Sequence, residues 1–247
     1  MVNLFRKSFE AFELKWDTEY FLVPSARVIL KDNVLTDEYK EIEEFSRQFE
    51  FVTITNADNK SKNNYWLTKK LGAFLTDINV QFVKCISNVS FDIDNISDVY
   101  EAHPYNQKIL DIARNAFKYS RFFNDPFLPS DKAKNIYVHW VEGAFGKLGR
   151  YFVTVKIQKE IAGFLLFSID EKKEYATIEL IAVDPTFRGA KIGKSLVVGM
   201  ESFLNKKGVS FVKVGTQIDN LAAIRFYTNF GFKYTSCNSI YHYWPHK

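Results

Sequence analysis

The sequence predicts an α/β fold built on a mixed, mostly antiparallel sheet. Three observations predict it. Two segments on either side of the chain's midpoint carry apolar residues at helical spacing, three short apolar runs then follow one another across charged turns, and the chain closes on helix, strand, helix and strand. The chain is 47% hydrophobic, enough to bury a core and too apolar for disorder. Its 247 residues fit one large domain or two small ones.

From about residue 10 to 100, short strands and helices alternate. Ala26 to Leu30 reads as a strand closed by the turn-prone pair Asp32-Asn33. Thr36 to Phe49 places Ile42, Phe45 and Phe49 at helical spacing, with Glu38, Glu41, Glu43 and Glu44 on a solvated face. Asn56 to Asn64 is a polar loop whose lysines form no nucleic-acid-binding arrangement. The texture changes near His103-Pro104, which divides an N-terminal α/β domain, 1–105, from a second domain, 106–247. There Gln107 to Tyr119 spaces Ile109, Ile112, Ala113 and Phe117 as an amphipathic helix. Ser120-Arg121-Phe122 interrupts it, and Asp131 to Ala144 forms the next, with Asp131 as its N-cap. Strands follow at Phe152–Val155, Ile161–Phe167 and Ala176–Val183, separated by turns at Lys159-Glu160 and Glu171-Lys172-Lys173. A loop with Pro185, Arg188 and Gly189 opens a helix from Ile192 to Asn205. A strand at Phe211–Thr216, a helix at Leu221–Asn229 and two short strands around Phe232 and Tyr241 complete the chain. No internal repeat is found.

Composition excludes several classes. Thirty-three basic against 29 acidic side chains leave a net charge of +4, too mild for a surface built to neutralise a phosphate backbone, so no nucleic-acid partner is expected. No apolar run approaches the roughly 20 residues of a membrane helix. Met1 to Trp16 is interrupted by Glu10 and Glu13, unlike a secretory leader, so no membrane partner and a cytoplasmic setting are expected. Cys85 and Cys237, with His103, His139, His242 and His246, show neither disulfide nor metal-ligand spacing.

The segment richest in chemistry is Ile178 to Lys194, IELIAVDPTFRGAKIGK. A buried strand runs into a loop at a helix N-terminus, where unpaired N–H groups and the helix dipole suit a pyrophosphate, and Arg188, Lys191 and Lys194 add charge. One strand later comes NLAAIRFYTNFGF. Asn220 can cap the helix or bond an amide-bearing ligand; Tyr227, two turns along the same face, can protonate a departing thiolate or simply pack.

Together these segments resemble the GNAT superfamily of N-acetyltransferases, which transfer acetyl groups from acetyl-CoA to amines. The family's loop is Arg or Gln, two residues, Gly, one residue, then Gly or Ala. Here it reads Arg188-Gly189-Ala190-Lys191-Ile192-Gly193, with Lys191 in place of the first patterned glycine. The resemblance implies the GNAT fold across about 107–247 and acetyl-CoA as cosubstrate, without a metal. It implies that Ile181, Ala182 and Val183 bind the pantetheine arm through strand backbone groups, and that a Val183 N–H can also serve the thioester oxyanion. Arg188, Gly189, Ala190, Lys191, Ile192, Gly193 and Lys194 would hold the pyrophosphate, Asn220 would contact the arm, and Tyr227 would be the general acid. Glu179, beside the thioester, is the candidate base, with strand alternation leaving its direction open.

Two further stretches, Trp16-Asp17-Thr18-Glu19-Tyr20-Phe21 with Arg27-Val28, and Ser120 to Pro126 with Tyr137 and Trp140, resemble the bacterial dTDP-fucosamine acetyltransferase group. That group acetylates the 4-amino group of a dTDP-linked 4,6-dideoxy sugar for surface polysaccharide synthesis. The resemblance implies a nucleotide-sugar acceptor held by Arg121, Phe122 and Asp125, an arginine fork suiting a diphosphate and Phe122 or Phe123 stacking on a base. Arg121 paired with Asp125 as a loop brace is the plain structural alternative. An acetyltransferase acting on a protein N-terminus, lysine or small amine, and a non-catalytic acetyl-CoA-binding module, stay open. So does a homodimer.

Overall fold

A computed structural model describes residues 3–86, 97–170, 172 and 174–247. Of the turn expected at Glu171-Lys172-Lys173, Glu171 and Lys173 lie outside the described residues. The first half contributes β1 (Leu4–Phe5), β2 (Phe9–Glu13), α1 (Lys15–Phe21), β3 (Ser25–Leu30), α2 (Thr36–Ser46), β4 (Phe51–Asn56), α3 (Ser61–Trp66) and β5 (Phe74–Cys85). The second contributes β6 (Ser97–Glu101), α4 (Gln107–Ala116), α5 (Ser130–Glu142), β7 (Arg150–Ile157), β8 (Glu160–Ile169), β9 (Tyr175–Val183), α6 (Ile192–Lys206), β10 (Phe211–Gln217), α7 (Leu221–Asn229) and β11 (Lys233–Tyr243).

All the strands share one 11-stranded sheet in the order β1-β2-β3-β4-β11-β5-β10-β9-β8-β7-β6. Two parallel contacts, β3 with β4 and β9 with β10, interrupt an otherwise antiparallel ladder. The order reveals a repeat that the sequence hides. The path β1-β2-β3-α2-β4 runs through the same antiparallel and parallel contacts as β7-β8-β9-α6-β10. Each half then sends its last strand into the other: β5 lies against β10 and β11 against β4, and the two pair with each other at the centre. The expected division at residue 105 falls after β6, which pairs with β7 at the far edge of the sheet.

Local chemistry explains the boundaries. Asn106 caps α4 by accepting from the Ile109 N–H at 3.1 Å, and the helix stops at Ala116, short of the expected Tyr119, because Phe117 is extended. The helix α5 begins at Ser130 behind Pro129, so Asp131 sits in its first turn facing the dipole and is not the cap. The polar stretch Asn56 to Asn64 is more ordered than a loop, forming a short turn and the start of α3. The two short closing strands are in fact one, β11, continuous through a bulge at Thr235.

Both sheet faces are covered. In the second half, α6 and α7 bury Val153, Leu165, Ile178 and Val214 on one face, while α4 and α5 bury Phe152, Phe164, Leu166 and Leu180 on the other. In the first half, α2 and α3 cover Ala26, Val28 and Ile54, and Phe21, Phe51, Phe122 and Ile136 fill the opposite face, where the halves meet. Each fully buried Phe or Ile contributes about 1.5–3 kcal/mol. Among the described residues, no helix is long and apolar enough to cross a membrane, and no group of three or more His, Cys, Asp or Glu could hold a metal ion.

Candidate active site

The strands β9 and β10 pair only from Tyr175 to Ile178 and Phe211 to Val214, then splay apart. From Glu179 on, the edge of β9 facing β10 is unpaired. The Asp184 N–H donates to Ala162 O of β8 at 2.9 Å, and alternation along an antiparallel ladder turns the Ala182 groups to β8 as well. Ile181 and Val183 therefore present their N–H and C=O groups to the open wedge. Ala182, expected to bind there, does not: its backbone is committed to β8 and its side chain is buried.

The wedge leads to a cleft of about 670 Å³ lined by Val183, Arg188, Gly189, Lys191, Gly193, Lys194 and the Phe226 ring of α7, among others. No side chain caps α6, so the first-turn N–H groups of Ile192, Gly193 and Lys194 are free to meet an anion. Gly189 has φ +84° and Lys191 φ 56°, so the lysine that replaces the patterned glycine adopts the left-handed backbone that glycine favours. At Gly193 a Cβ would stand 3.0 Å from the Phe226 ring, so glycine there lets α6 close onto α7. Asp184 fixes the loop's entry by accepting from the Thr186 N–H at 2.9 Å and from Lys108 Nζ at 2.7 Å, and these bonds hold its carboxyl at about 2.

Asn220 caps α7, its Oδ1 accepting from the Ala223 N–H at 3.2 Å, which leaves only its amide nitrogen for a ligand. Tyr227 lies in the core between Phe82, Phe226 and Phe232. Burial pushes its hydroxyl pKa up, so the phenol keeps its proton at neutral pH, as a general acid must.

Glu179 is the extra residue of a β-bulge: Leu166 pairs with Leu180 and Phe167 with Ile178. The bulge reverses the faces of β9, for Ala176 and Ile178 pack under α6 while Leu180 and Ala182 pack under α4 and α5. It also turns Glu179 toward α5, where its carboxylate ion-pairs with Arg150 and accepts from Trp140 Nε1 at 3.2 Å.

Trp140 and Arg150 belong to a second cavity, about 300 Å³, between the two halves. Trp16, Asp17 and Arg27 come to it from the first half, Arg121, Phe122 and Trp140 from the second. The two stretches singled out in the sequence thus converge on one site. The Arg121 guanidinium lies 4.1 Å over the Phe122 ring, and burial pulls its pKa to about 10, still a cation at neutral pH. The Nε atoms of Arg27 and Arg121 are buried without a hydrogen-bond partner, and neither arginine forms an ion pair among the described residues. Burial raises the Asp17 carboxyl against the pull of Arg121 and Arg27. Three guanidiniums and Lys147 against the single lining carboxylate of Asp17 leave the cavity cationic, with Arg150 already paired to Glu179.

Asp125 does not join it, nor does it pair with Arg121. Its fully enclosed carboxylate accepts from His242 Nδ1 at 2.6 Å, the Trp244 indole at 3.1 Å and the Phe127 N–H at 2.8 Å. Burial works to raise its carboxyl, but these bonds carry it below the ordinary value. Burial lowers His242 to about 4, keeping it neutral. This pair braces the Arg121 turn against β11. Sequence reasoning gave no role to Asp17, Arg27, Lys147 or Arg150. Asp17 and Arg27 fall inside a recognised stretch; Lys147 and Arg150 carry no local signal.

Comparison with known proteins bears on the family and the fold. The acetyltransferase (GNAT) family matches residues 108–232. The spore coat polysaccharide biosynthesis protein SpsD of Bacillus subtilis is 31% identical over 142 residues, covering 57% of this chain and 48% of that protein, so the match spans about half of that relative's length. An uncharacterized N-acetyltransferase of Methanocaldococcus jannaschii is 27% identical over 180 residues, covering 70% of this chain and 77% of that protein. Among solved structures, a functionally unknown conserved protein of Staphylococcus epidermidis superposes with a TM-score of 0.66 at 12% identity, covering 98% of this chain and 94% of that one. A tandem GNAT protein from the clavulanic acid biosynthesis pathway gives 0.58 at 12% identity, covering 90% and 75%. At these identities the structural likeness concerns the fold alone.

Proposed function

The chain belongs to the acetyltransferase (GNAT) family, and from that premise we propose that it acetylates the amino group of a nucleotide-linked amino-deoxy sugar, a dTDP-4-amino-4,6-dideoxyhexose, for surface polysaccharide synthesis. The enzyme is an acetyl-CoA-dependent acetyltransferase, and acetyl-CoA supplies an acyl group activated as a thioester. The cationic cavity between the halves carries the proposal. Two guanidiniums whose Nε atoms are buried without a hydrogen-bond partner call for an anion, and a diphosphate meets an arginine fork in two parallel bonds. Trp16 and Trp140 offer flat faces to a base or a deoxysugar methyl, whereas Phe122, expected to stack there, is buried under the Arg121 guanidinium. The relationship to a spore coat polysaccharide biosynthesis protein supports the same acceptor class.

In this reading residues 106–247 carry acetyl-CoA, and residues 1–105 supply one side of the acceptor cavity, with Arg121 and Trp140 on the other. The backbone of Ile181 and Val183 aligns the pantetheine arm, and Val183 N–H faces the acetyl carbonyl oxygen. Arg188, Lys191, Lys194 and the first turn of α6 hold the pyrophosphate. Tyr227 holds the proton that the thiolate takes on leaving. Thiol release with a panel of acceptors is the test. Turnover with a dTDP-4-amino sugar and none with peptides or simple amines is the expected result; the reverse ranking removes the nucleotide-sugar assignment. Arg121→Ala should raise the KM for that sugar by about 10- to 100-fold and leave the KM for acetyl-CoA unchanged. Equal KM values would place the acceptor elsewhere.

A further inference from the structure

The strand β5 comes from the first half and runs beside β10 on the side away from β9, extending past the C-terminal end of β10 at the mouth of the second half's wedge. Its residues alternate cleanly there. Val80 and Phe82 enter the core under α6 and α7, so Asp77, Asn79 and Gln81 project from the opposite face, the face to which Glu179 turns. A Cβ on Gly215 of β10 would lie 2.9 Å from Asn79 Oδ1 and 2.5 Å from Gln81 Nε2, which fixes these side chains on that face and shows why the floor needs glycine. Asn79 pairs with Gln217, and the Ile218 N–H donates to Ile78 O at 2.9 Å, so Asp77 lies just beyond the C-terminal end of β10, where the wedge is widest. The Arg121 turn is tied to the same place by Asn124 Nδ2, which donates to Thr76 O at 2.8 Å.

We propose that Asp77, and not Glu179, takes the proton from the acceptor ammonium. This rests on the acetyl-transfer reading of the site. The two carboxylates lie on one face of the sheet, Glu179 on β9 and Asp77 past the end of β10, but differ in what occupies them. Glu179 is held by Arg150 and Trp140, which compete with an incoming ammonium. Asp77 has no ion pair among the described residues and is half-buried. The charged and titratable groups around it are Arg121, Asp219 and Tyr137. Burial raises its carboxyl to about 6; Arg121 and a backbone N–H at Ile78 pull the other way, and Asp219 adds to the rise. It is thus ionised at neutral pH yet retains affinity for a proton.

The proton count closes. The ammonium gives one of its three protons to Asp77, and its freed lone pair forms the C–N bond as the C–S bond breaks. The departing thiolate takes the Tyr227 proton. The nitrogen's surplus proton restores Tyr227 through solvent, and the amide keeps the third; Asp77 returns its proton to water.

Kinetics across pH test this. Wild-type kcat/KM for the amine should rise through an inflection near pH 6. Asp77→Asn should abolish that limb and lower kcat/KM by about 10²- to 10³-fold, with acetyl-CoA affinity unchanged and Asp77→Glu restoring part of the rate. Glu179→Gln should keep the limb. A limb that survives in Asp77→Asn, or vanishes in Glu179→Gln instead, overturns the assignment. If a dTDP-4-amino sugar is inert but another primary amine turns over, the same profile with that amine still decides for or against Asp77, and only the nucleotide-sugar reading falls. If no amine turns over, the acetyl-CoA complex labelled with 13C-carboxyl aspartate decides: a resonance titrating near pH 6 and missing from Asp77→Asn supports the assignment, and none near pH 6 overturns it.

Discussion

The two halves follow one path through the sheet and end in opposite states. In the second, β9 and β10 pair over four positions and separate; in the first, β3 and β4 pair over six, to the last residue of both. The helix that follows differs in the same sense. The first turn of α6 is uncapped and carries Lys194 at its third position. In α2 the third position is Glu38, which accepts from the Leu35 N–H at 2.8 Å, with Asp37 beside it. The Val34 N–H is consumed as well, by Asn63 Oδ1 at 3.1 Å, and Asn63 is locked to Asn56 at 3.0 Å. One half consumes the N–H groups just ahead of its helix and sets carboxylates in the first turn, which repel anions; the other sets a lysine there and leaves its first turn to a ligand. An anion site is thus made by parting the strands and keeping carboxylates out of the helix's first turn, not by adding a motif to a finished turn.

The largest expected effect falls on the chemistry that only the open half performs. Tyr227→Phe should lower kcat by about 10²- to 10³-fold with acetyl-CoA affinity nearly intact. Unchanged kcat would remove Tyr227 as the acid. Next, Lys194→Glu gives α6 the carboxylate that closes α2, and calorimetry should show acetyl-CoA affinity about 100-fold weaker. The reciprocal Glu38→Lys should create no second site, because β3 and β4 stay zipped; a stoichiometry of two would break the comparison. Smaller still, Lys191→Gly relieves a left-handed lysine and should add about 1 kcal/mol of stability while weakening acetyl-CoA binding roughly two- to fivefold. No gain in Tm would mean the loop is unstrained.

The mildest effect lies where the halves are braced. His242 is held at about 4, against an ordinary 6.5, so between these values the unfolded chain binds a proton that the folded one refuses. Stability should therefore fall as pH drops from about 6.5 toward 4. The depressed Asp125 carboxyl acts in the same sense at lower pH, its contribution vanishing as the carboxylate is protonated. His242→Gln should flatten the upper part of this decline in urea titrations; an unaltered slope would assign it to other groups.

What was legible in the sequence was local. The strand–loop–helix order around residues 178–194 and the helix that carries Tyr227 could be read because a helix start and its charges lie within a few residues of one another. The destination of Glu179 could not, since a bulge is decided by how β8 and β9 register. Asp125 was misplaced because its partner His242 lies 117 residues away. Asp77 carried no signal, for it comes to the mouth of the wedge, past the end of β10, only through a strand delivered by the other half. The repeat itself survives in connectivity alone.

That exchange of strands has a consequence for how the molecule is made. The centre of the sheet is β11 against β5, and β5 must also find β10, more than a hundred residues further along. Neither half can complete its sheet from its own segment, so folding waits on two long chain closures, and the loop entropy of both precedes any reward. During synthesis β5 emerges with both edges bare, a sticky strand without its neighbours. The enzyme should therefore refold slowly from denaturant in one cooperative step, and its halves expressed apart should recover structure only when mixed.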